Sequence, residues 1–214
     1  IILSKIKGII FDMDGVLIEA KDWHYDALNR ALGLFGYEIS RYDHLVTYDG
    51  LPTVMKLEML TKEKRLPKAL HEFINELKQK YTMELVFSNC KPRFIQEYAL
   101  SKLKADGYLI GCASNSIRES VNVMLDKSDL FKYMDIIFSA QDVEYPKPSS
   151  QMYDKAILKL GLKPSECLII EDNENGIISA RASGANVMVV DDVKEVNFLN
   201  IKNQIDSIEL ESKK

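Results

Sequence analysis

The sequence predicts an α/β protein built on a Rossmann-like, doubly wound parallel sheet, with an all-helical domain inserted after the first strand. Apolar runs typical of strands buried on both faces of a parallel sheet recur at 6–11, 108–112, 135–138, 167–170 and 187–190. From residue 84 onward, segments with helical spacing of apolar residues separate these runs, as in a doubly wound sheet. Residues 20–90 break the alternation, because they contain helical patterns and no convincing strand.

Apolar residues three or four positions apart predict the helices. The stripe at 152–160 is followed by Gly161 and Pro164, which are typical helix-stop residues. Two further stripes, at 27–35 and 66–77, lie inside the segment that has no strands. The predicted domains are a discontinuous α/β core, residues 1–18 and 90–214, and an α-helical cap, residues 19–89.

Composition excludes several classes of function. The 214 residues have a net charge of −4 at pH 7 and no dense basic cluster, so we expect no nucleic-acid partner. No apolar run approaches the roughly 18 residues of a membrane span, and the first residues lack the order of a signal peptide. Cys90, Cys112 and Cys167 show no CxxC spacing, and we expect buried free thiols in a cytoplasmic protein.

Two aspartates, Asp12 and Asp14, directly follow the first predicted strand. Ligands of an open parallel sheet collect outside the carboxyl ends of its strands, so we expect both carboxylates at the rim of the sheet and not buried. Gly15 would let the chain turn sharply away. Taken alone, the motif fits a pair of turn aspartates equally well.

Polar residues also follow the next two predicted strands. Ser114 and Asn115 come after 108–112, where a hydroxyl, an amide and the N–H groups of a helix start could hold an anion. Lys147 follows 135–138, and the prolines on both sides of it disfavour a helix there. Taken singly, these residues also fit a helix N-cap and an ordinary loop lysine.

Glu171 and Asp172 follow the predicted strand at 167–170. Adjacent acids repel one another unless a cation joins them, and hard carboxylate oxygens suit Mg²⁺. Asp12 and Asp14 could supply further ligands to the same ion. The alternative for the pair alone is an acidic turn at the start of the following helix.

Together, the four clusters place acids, a hydroxyl, a lysine and acids again at the ends of successive parallel strands. This set suits phosphoryl transfer. One carboxylate attacks phosphorus, a lysine and Mg²⁺ stabilise the charge on the transferring oxygens, and a second acid protonates the leaving group. The same acid then accepts a proton from water.

These residues resemble the motifs of the haloacid dehalogenase superfamily of phosphotransferases. The matching pieces are DMDGV at 12–16, Ser114-Asn115, Lys147-Pro148, and Glu171-Asp172 with Gly176-Ile177. The resemblance extends over nearly the whole chain. The helical insert is similar to the C1-type α-helical cap of the branch that includes β-phosphoglucomutase-like and phosphoglycolate-phosphatase-like proteins.

The resemblance implies a role for each matching residue and a Mg²⁺ cofactor. Asp12 would be the nucleophile and a metal ligand, and Asp14 the general acid and base with its backbone carbonyl on the metal. Ser114 and Asn115 would hold the phosphoryl group, Lys147 would bridge phosphate and nucleophile, Asp172 would bind the metal directly, and Glu171 directly or through water.

The resemblance leaves two enzyme activities open, a phosphatase and a sugar-phosphate mutase of the β-phosphoglucomutase type. We favour the phosphatase, because this chain has Ala20 where such mutases have a hinge threonine and Thr53 where they have a cap arginine. Asn115-Ser116-Ile117 also departs from their Ala-Ser-Lys. A binding module that kept the fold is a third and more remote alternative.

Substrate choice is expected to lie in the cap, because the core residues recognise only phosphate and metal. Candidate specificity residues are His24, Tyr48, Gly50 and Thr53, although His24 fits a structural histidine equally well. Polar groups in the segment 44–53 favour a small phosphomonoester such as a sugar or polyol phosphate. The resemblance favours a monomer.

Overall fold

The computed structural model describes residues 5–211. Its strands are β1 (Gly8–Phe11), β2 (Leu109–Ala113), β3 (Ile136–Phe138), β4 (Cys167–Glu171) and β5 (Asn186–Val189). They form a single parallel sheet in the order β3-β2-β1-β4-β5. The α/β fold with a parallel sheet is therefore confirmed.

The register of the central strands aligns their carboxyl ends. Phe11 of β1 is opposite Cys112 of β2 and Ile170 of β4. Asp12, which follows β1, therefore lies level with the last residues of its two neighbours. The chain proceeds outward from β1 through β2 to β3, and then returns to the other side of β1 with β4. Ligands of open α/β sheets bind where the strand order reverses in this way.

Helices lie between the strands and after the last one. They are α1 (Lys21–Gly33), α2 (Arg41–Asp43), α3 (Thr53–Lys64), α4 (His71–Asn89), α5 (Phe94–Ala105), α6 (Arg118–Lys127), α7 (Gln151–Lys159), α8 (Glu174–Ala182) and α9 (Phe198–Glu211). A π-helical turn, His44–Tyr48, follows α2. The chain divides into two units: a core unit, up to Glu19 and from Lys91 onward, and a helical unit, Ala20–Cys90.

Each unit has its own apolar core. In the core unit, α7 and α8 cover a face of the sheet whose buried residues include Ile10, Ala113, Met152, Tyr153, Ala156, Ile169 and Ala180. In the helical unit, the buried cluster comprises Leu28, Ala31, Leu32, Ile39, Tyr48, Leu57, Leu60, Leu66 and Ile74. Burial of such side chains supplies most of the favourable free energy of folding.

The apolar stripe at 66–77 does not belong to one helix. Helix α3 ends at Lys64, because the next residue, Arg65, has a left-handed φ of 57°, and Pro67 follows. Leu66 therefore lies in the connection between α3 and α4, and α4 begins at His71. The three cysteines are buried and free, as predicted. In the described part of the chain, no helix is both long and apolar enough to cross a membrane.

Candidate active site

The ammonium group of Lys147 lies at the centre of a buried charge cluster. Its Nζ donates to Asp12 Oδ1 at 2.7 Å, to Glu171 Oε1 at 2.6 Å and to the carbonyl oxygen of Ala113 at 2.8 Å. An ammonium has three donors, so these contacts use all of them. Lys147 is 2% exposed, Asp12 5% and Glu171 0%. The Lys147 side chain thus contacts groups at the carboxyl ends of β1, β2 and β4.

Lys147 remains charged in this environment. Burial lowers the pKa of its ammonium, but Asp12 and Glu171 oppose this effect and leave the pKa above its usual value. The balance is different for Asp12. Burial and the charge of Glu171 raise the pKa of Asp12 well above its usual value, although Lys147 acts in the opposite direction. One ammonium is therefore insufficient to balance the surrounding carboxylates.

We expected Asp12 and Asp14 both to be unburied, and this expectation is wrong for Asp12. Asp14 is half-buried, whereas Asp12 is almost wholly removed from solvent. An isolated buried carboxylate would be very costly. The charged hydrogen bond from Lys147, 135 positions away in sequence, offsets much of this cost.

The side chain of Asn115 holds the backbone of Lys147. Asn115 Oδ1 accepts from the Lys147 N–H at 3.0 Å, and Asn115 Nδ2 donates to the Lys147 carbonyl oxygen at 3.1 Å. This pair of hydrogen bonds ties the loop after β2 to the loop before α7. The structure therefore gives the Asn115 side chain a supporting contact that was not predicted from the sequence.

Two serines after β2 contact Asp14. Ser116 Oγ donates to Asp14 Oδ2 at 3.0 Å, and Ser114 Oγ lies 3.4 Å from the same oxygen. Gly15, at a φ of 91°, donates its N–H to the carbonyl oxygen of Ile18 at 2.7 Å and so closes the turn after Asp14. Ser116 was not among the predicted site residues, although its place two residues after Ser114 was a usable signal.

The carboxylate of Glu171 is held on both oxygens. Oε1 accepts from the hydroxyl of Tyr153 at 2.5 Å as well as from Lys147, and Oε2 accepts from the N–H of Asp172 at 3.2 Å. Gly176 of α8 leaves room for this group, because a Cβ there would lie 2.1 Å from the carboxylate. Tyr153 was missed in the sequence because it falls within an apolar helical stripe.

Three acidic residues could hold a metal ion. Asp12, Glu171 and Asp172 each offer a carboxylate oxygen, and these oxygens all lie within 4.8 Å of one another. The described residues contain no other such group. Carboxylate oxygens are the ligands that Mg²⁺ and Ca²⁺ prefer, and a cation would relieve the excess negative charge around Asp12. The residues therefore fit a hard divalent cation.

Tyr48, a predicted specificity residue, belongs to the apolar core of the helical unit. It is buried, and its hydroxyl donates to Glu63 Oε2 at 2.7 Å. Burial raises the pKa of Tyr48, so its hydroxyl remains protonated. The structure therefore gives Tyr48 a packing role.

The other predicted specificity residues also lie in the helical unit. His24 Nδ1 lies 3.2 Å from Lys78 Nζ. Gly50, at a φ of 70°, forms the turn before α3, and Thr53 is the first residue of that helix. Contact of any of these residues with substrate stays a prediction.

A family model of haloacid dehalogenase-like hydrolases matches residues 9–190. The chain belongs to this family. The match includes Asp12, Asp14, Lys147, Glu171 and Asp172, so it contains the whole charge cluster. The predicted resemblance and the assignment as a hydrolase are confirmed.

Curated relatives share most of their length with this chain. YhcW of Bacillus subtilis (strain 168), which is provisionally named a phosphatase, is 30% identical over 189 residues, covering 86% of this chain and 83% of YhcW. The pyrophosphatase PpaX of Bacillus mycoides (strain KBAB4) is 28% identical over 195 residues, covering 87% and 84%. Both names describe enzymes that act on phosphate compounds.

Among solved structures, β-phosphoglucomutase from Clostridium difficile superposes with a TM-score of 0.82. The match covers 96% of this chain and 99% of that one at 22% sequence identity. At this identity the likeness shows a common fold and does not distinguish a mutase from a phosphatase.

Proposed function

We propose that this hydrolase is a Mg²⁺-dependent phosphatase that transfers the phosphoryl group of a small phosphomonoester first to Asp12 and then to water. The observation that supports this most strongly is the Lys147 ammonium held between Asp12 and Glu171 at 2.7 and 2.6 Å. A buried, charged lysine beside a carboxylate can stabilise negative charge that develops on a transferring group. The phosphatase and pyrophosphatase names of the relatives support the same reaction class.

In the first step, a carboxylate oxygen of Asp12 attacks phosphorus and the bond from phosphorus to the leaving oxygen breaks. Asp14 donates its proton to that oxygen, and the product is an alcohol. Ser116 and Ser114, which contact Asp14 Oδ2, would orient the acid. Asp12 is then an aspartyl-phosphate.

In the second step, water attacks the phosphorus of the aspartyl-phosphate and Asp14, now ionised, accepts the proton of the water. The bond between phosphorus and the Asp12 oxygen breaks, which restores the carboxylate and releases inorganic phosphate. Lys147 stabilises the negative charge in both steps. Ser114 and Asn115 would hold the oxygens of the phosphoryl group.

The Mg²⁺ ion would be held by Asp12 and Asp172, by the backbone carbonyl of Asp14, and by Glu171 directly or through water. When bound, it would supply positive charge to the phosphoryl oxygens and favour the ionised form of Asp12. This second effect matters because burial and neighbouring acids raise the pKa of Asp12 in the protein alone.

The substrate is proposed to be a sugar or polyol phosphate, on the basis of the polar residues in the segment 44–53. Inorganic pyrophosphate is a further candidate, since one relative is named a pyrophosphatase. A sugar-phosphate mutase is the alternative activity, and the fold shared with β-phosphoglucomutase is compatible with it. Ala20 and Thr53 favour the phosphatase. A binding module would have no need of the intact charge cluster.

The test is phosphate release from a panel of sugar phosphates, polyol phosphates, phosphoglycolate, nucleotides and pyrophosphate, each with Mg²⁺ or with EDTA. We expect Mg²⁺-dependent release that falls at least roughly a thousandfold in Asp12→Asn. Asp106→Asn is the matched control, because Asp106 is a partly exposed aspartate of the core unit whose carboxylate lies 3.6 Å from Lys202. It should retain wild-type activity.

The other outcomes are distinct. Conversion of β-glucose 1-phosphate into its 6-phosphate, without net phosphate release, would make the chain a mutase. Release that persists in EDTA would contradict the proposed metal. Equal activity of wild type and Asp12→Asn would contradict the aspartyl-phosphate mechanism, and no turnover of any compound would favour the binding module.

A further inference from the structure

Tyr153 connects the two buried charges that the proposed mechanism uses. It is one of the largest fully buried side chains of the core unit. Its hydroxyl donates to Glu171 Oε1 at 2.5 Å, and the same oxygen accepts from Lys147 Nζ at 2.6 Å. Its ring lies below that ammonium, with Lys147 Nζ 4.7 Å from the ring centroid. One side chain thus contacts Lys147 with its face and Glu171 with its edge.

We propose that Tyr153 is a positioning residue for the metal site, whose hydroxyl fixes the Glu171 carboxylate in the orientation that binds the divalent cation. The inference rests on the proposed function, because it assumes that Asp12, Glu171 and Asp172 bind Mg²⁺. It adds a residue of α7 that is not itself a ligand.

The Tyr153 hydroxyl is one of several contacts that fix the Glu171 carboxylate. On one side, Gly176 leaves space that a carboxylate just fills. Oε2 accepts two longer hydrogen bonds, from the N–H of Asp172 at 3.2 Å and from Asn173 Nδ2 at 3.5 Å. The two short contacts, from Lys147 and Tyr153, both end on Oε1. Without the hydroxyl, Lys147 alone would orient that oxygen, and Lys147 is also bound to Asp12.

Tyr153 and Lys147 belong to one short segment of the chain. Lys147 lies in the loop before α7, and Tyr153 is the third residue of that helix. The helix fixes the ring, because Tyr153 packs in the apolar cluster between α7 and the sheet. The hydroxyl is therefore presented to Glu171 by a rigid element. Groups that orient metal ligands in this way commonly change metal affinity by roughly 10- to 100-fold when removed.

The experiment measures Mn²⁺ binding to the substrate-free chain at pH 7.5, with free Mn²⁺ counted by electron paramagnetic resonance. Tyr153→Phe removes the hydroxyl and keeps the ring. We expect its dissociation constant for Mn²⁺ to rise about tenfold. Tyr153→Met, which lacks the hydroxyl in a different packing, should show a rise in the same direction. The Tm of each metal-free variant is measured beside it to confirm folding.

Tyr108→Phe is the matched control. Tyr108 is also buried in the core unit, and its hydroxyl accepts from Lys202 Nζ at 3.0 Å just before the start of β2. Both substitutions remove one buried tyrosine hydroxyl beside a lysine. Only the one next to Glu171 should weaken Mn²⁺ binding.

The outcomes separate this inference from the proposed function. If wild type and Tyr153→Phe bind Mn²⁺ equally, the positioning role is wrong and the phosphatase mechanism is untouched. An equal loss of affinity in Tyr108→Phe would also overturn it, because the effect would then be general. If the wild-type chain binds no Mn²⁺, the proposed metal site itself fails, and the inference fails with it.

Discussion

The core unit and the helical unit each contain a buried basic side chain, and the two differ in charge. Lys147 and His44 are both 2% exposed. Burial acts to lower the pKa of each, although for Lys147 the neighbouring acids outweigh this effect. Lys147 has Asp12 and Glu171 within hydrogen-bond distance, and it keeps its proton. His44 Nε2 lies 3.9 Å from a carboxylate oxygen of Asp49.

His44 is neutral at pH 7, because its pKa lies well below 7. Burial, and then the positive charge of Lys56, lower the pKa of His44 to about 4. The imidazole packs beside the ring of Tyr25, with the centroids 4.9 Å apart. Burial acts in the same direction on both groups. Lysine begins with the higher pKa and has two acids in contact, so Lys147 stays charged, whereas histidine begins near neutrality and His44 is neutral. The Lys147 charge lies in the core unit, where phosphoryl transfer would use it.

The most severe test of this comparison is Lys147→Met. It leaves the buried carboxylates of Asp12 and Glu171 without their shared cation, so we expect a loss of about 3–5 kcal/mol in the free energy of unfolding. Urea denaturation at pH 7.5 measures it. Lys104→Met removes a partly exposed partner of Asp135 and should cost at most about 1 kcal/mol. Similar losses in the two variants would show that burial does not matter here.

A smaller effect is expected when the acid is displaced and the lysine is kept. In Gly176→Ala, the new Cβ would overlap the Glu171 carboxylate and move it away from Lys147. We expect about 2–3 kcal/mol of destabilisation, measured by the same denaturation, together with weaker Mg²⁺ dependence of activity.

Gly33→Ala is the control in the helical unit, because a Cβ at the end of α1 would meet nothing within 4 Å. It should be neutral or add up to about 1 kcal/mol of stability. A destabilisation by Gly33→Ala equal to that of Gly176→Ala would mean that the loss comes from replacing a helical glycine and not from Glu171.

The smallest effect concerns pH and His44. Its pKa is about 4 in the folded state, against about 6.5 when unfolded, so the unfolded chain binds the extra proton between these values. The stability from the neutral imidazole is complete above pH 6.5 and is lost as the pH falls toward 4. From pH 7.5 to pH 5, we expect this residue to cost about 2 kcal/mol.

His44→Asn should reduce the pH dependence of the free energy of unfolding by that amount, when both proteins are measured by urea denaturation at pH 7.5 and 5. An unchanged pH dependence would show that His44 is not held neutral by its surroundings.

The sheet and the main site residues could be predicted from sequence for a physical reason. Parallel strands buried on both faces are continuous apolar runs, and their carboxyl ends meet at one edge. The positions of Asp12, Lys147 and Glu171 after three such runs were therefore informative. The observed strands begin or end within two residues of the predicted ones.

Other contacts could not be read from the sequence, because they depend on which side chains meet across long separations. Tyr153 is indistinguishable from any core aromatic until α7 is placed over Glu171. The burial of Asp12 depends on its hydrogen bond with Lys147, which lies far away in the sequence. Asn115 was predicted to hold the phosphoryl group, and only the three-dimensional structure shows its side chain bound to the lysine loop.

The central place of β1 in the sheet also bears on how the protein is made. β1 pairs with β2 on one side and with β4 on the other, although β4 follows it by about 160 positions. During synthesis, Asp12 leaves the ribosome long before Glu171 and Asp172. A nascent chain that ends before Asp172 cannot assemble the three carboxylates. Metal binding is therefore expected to begin only after β4 has joined the sheet.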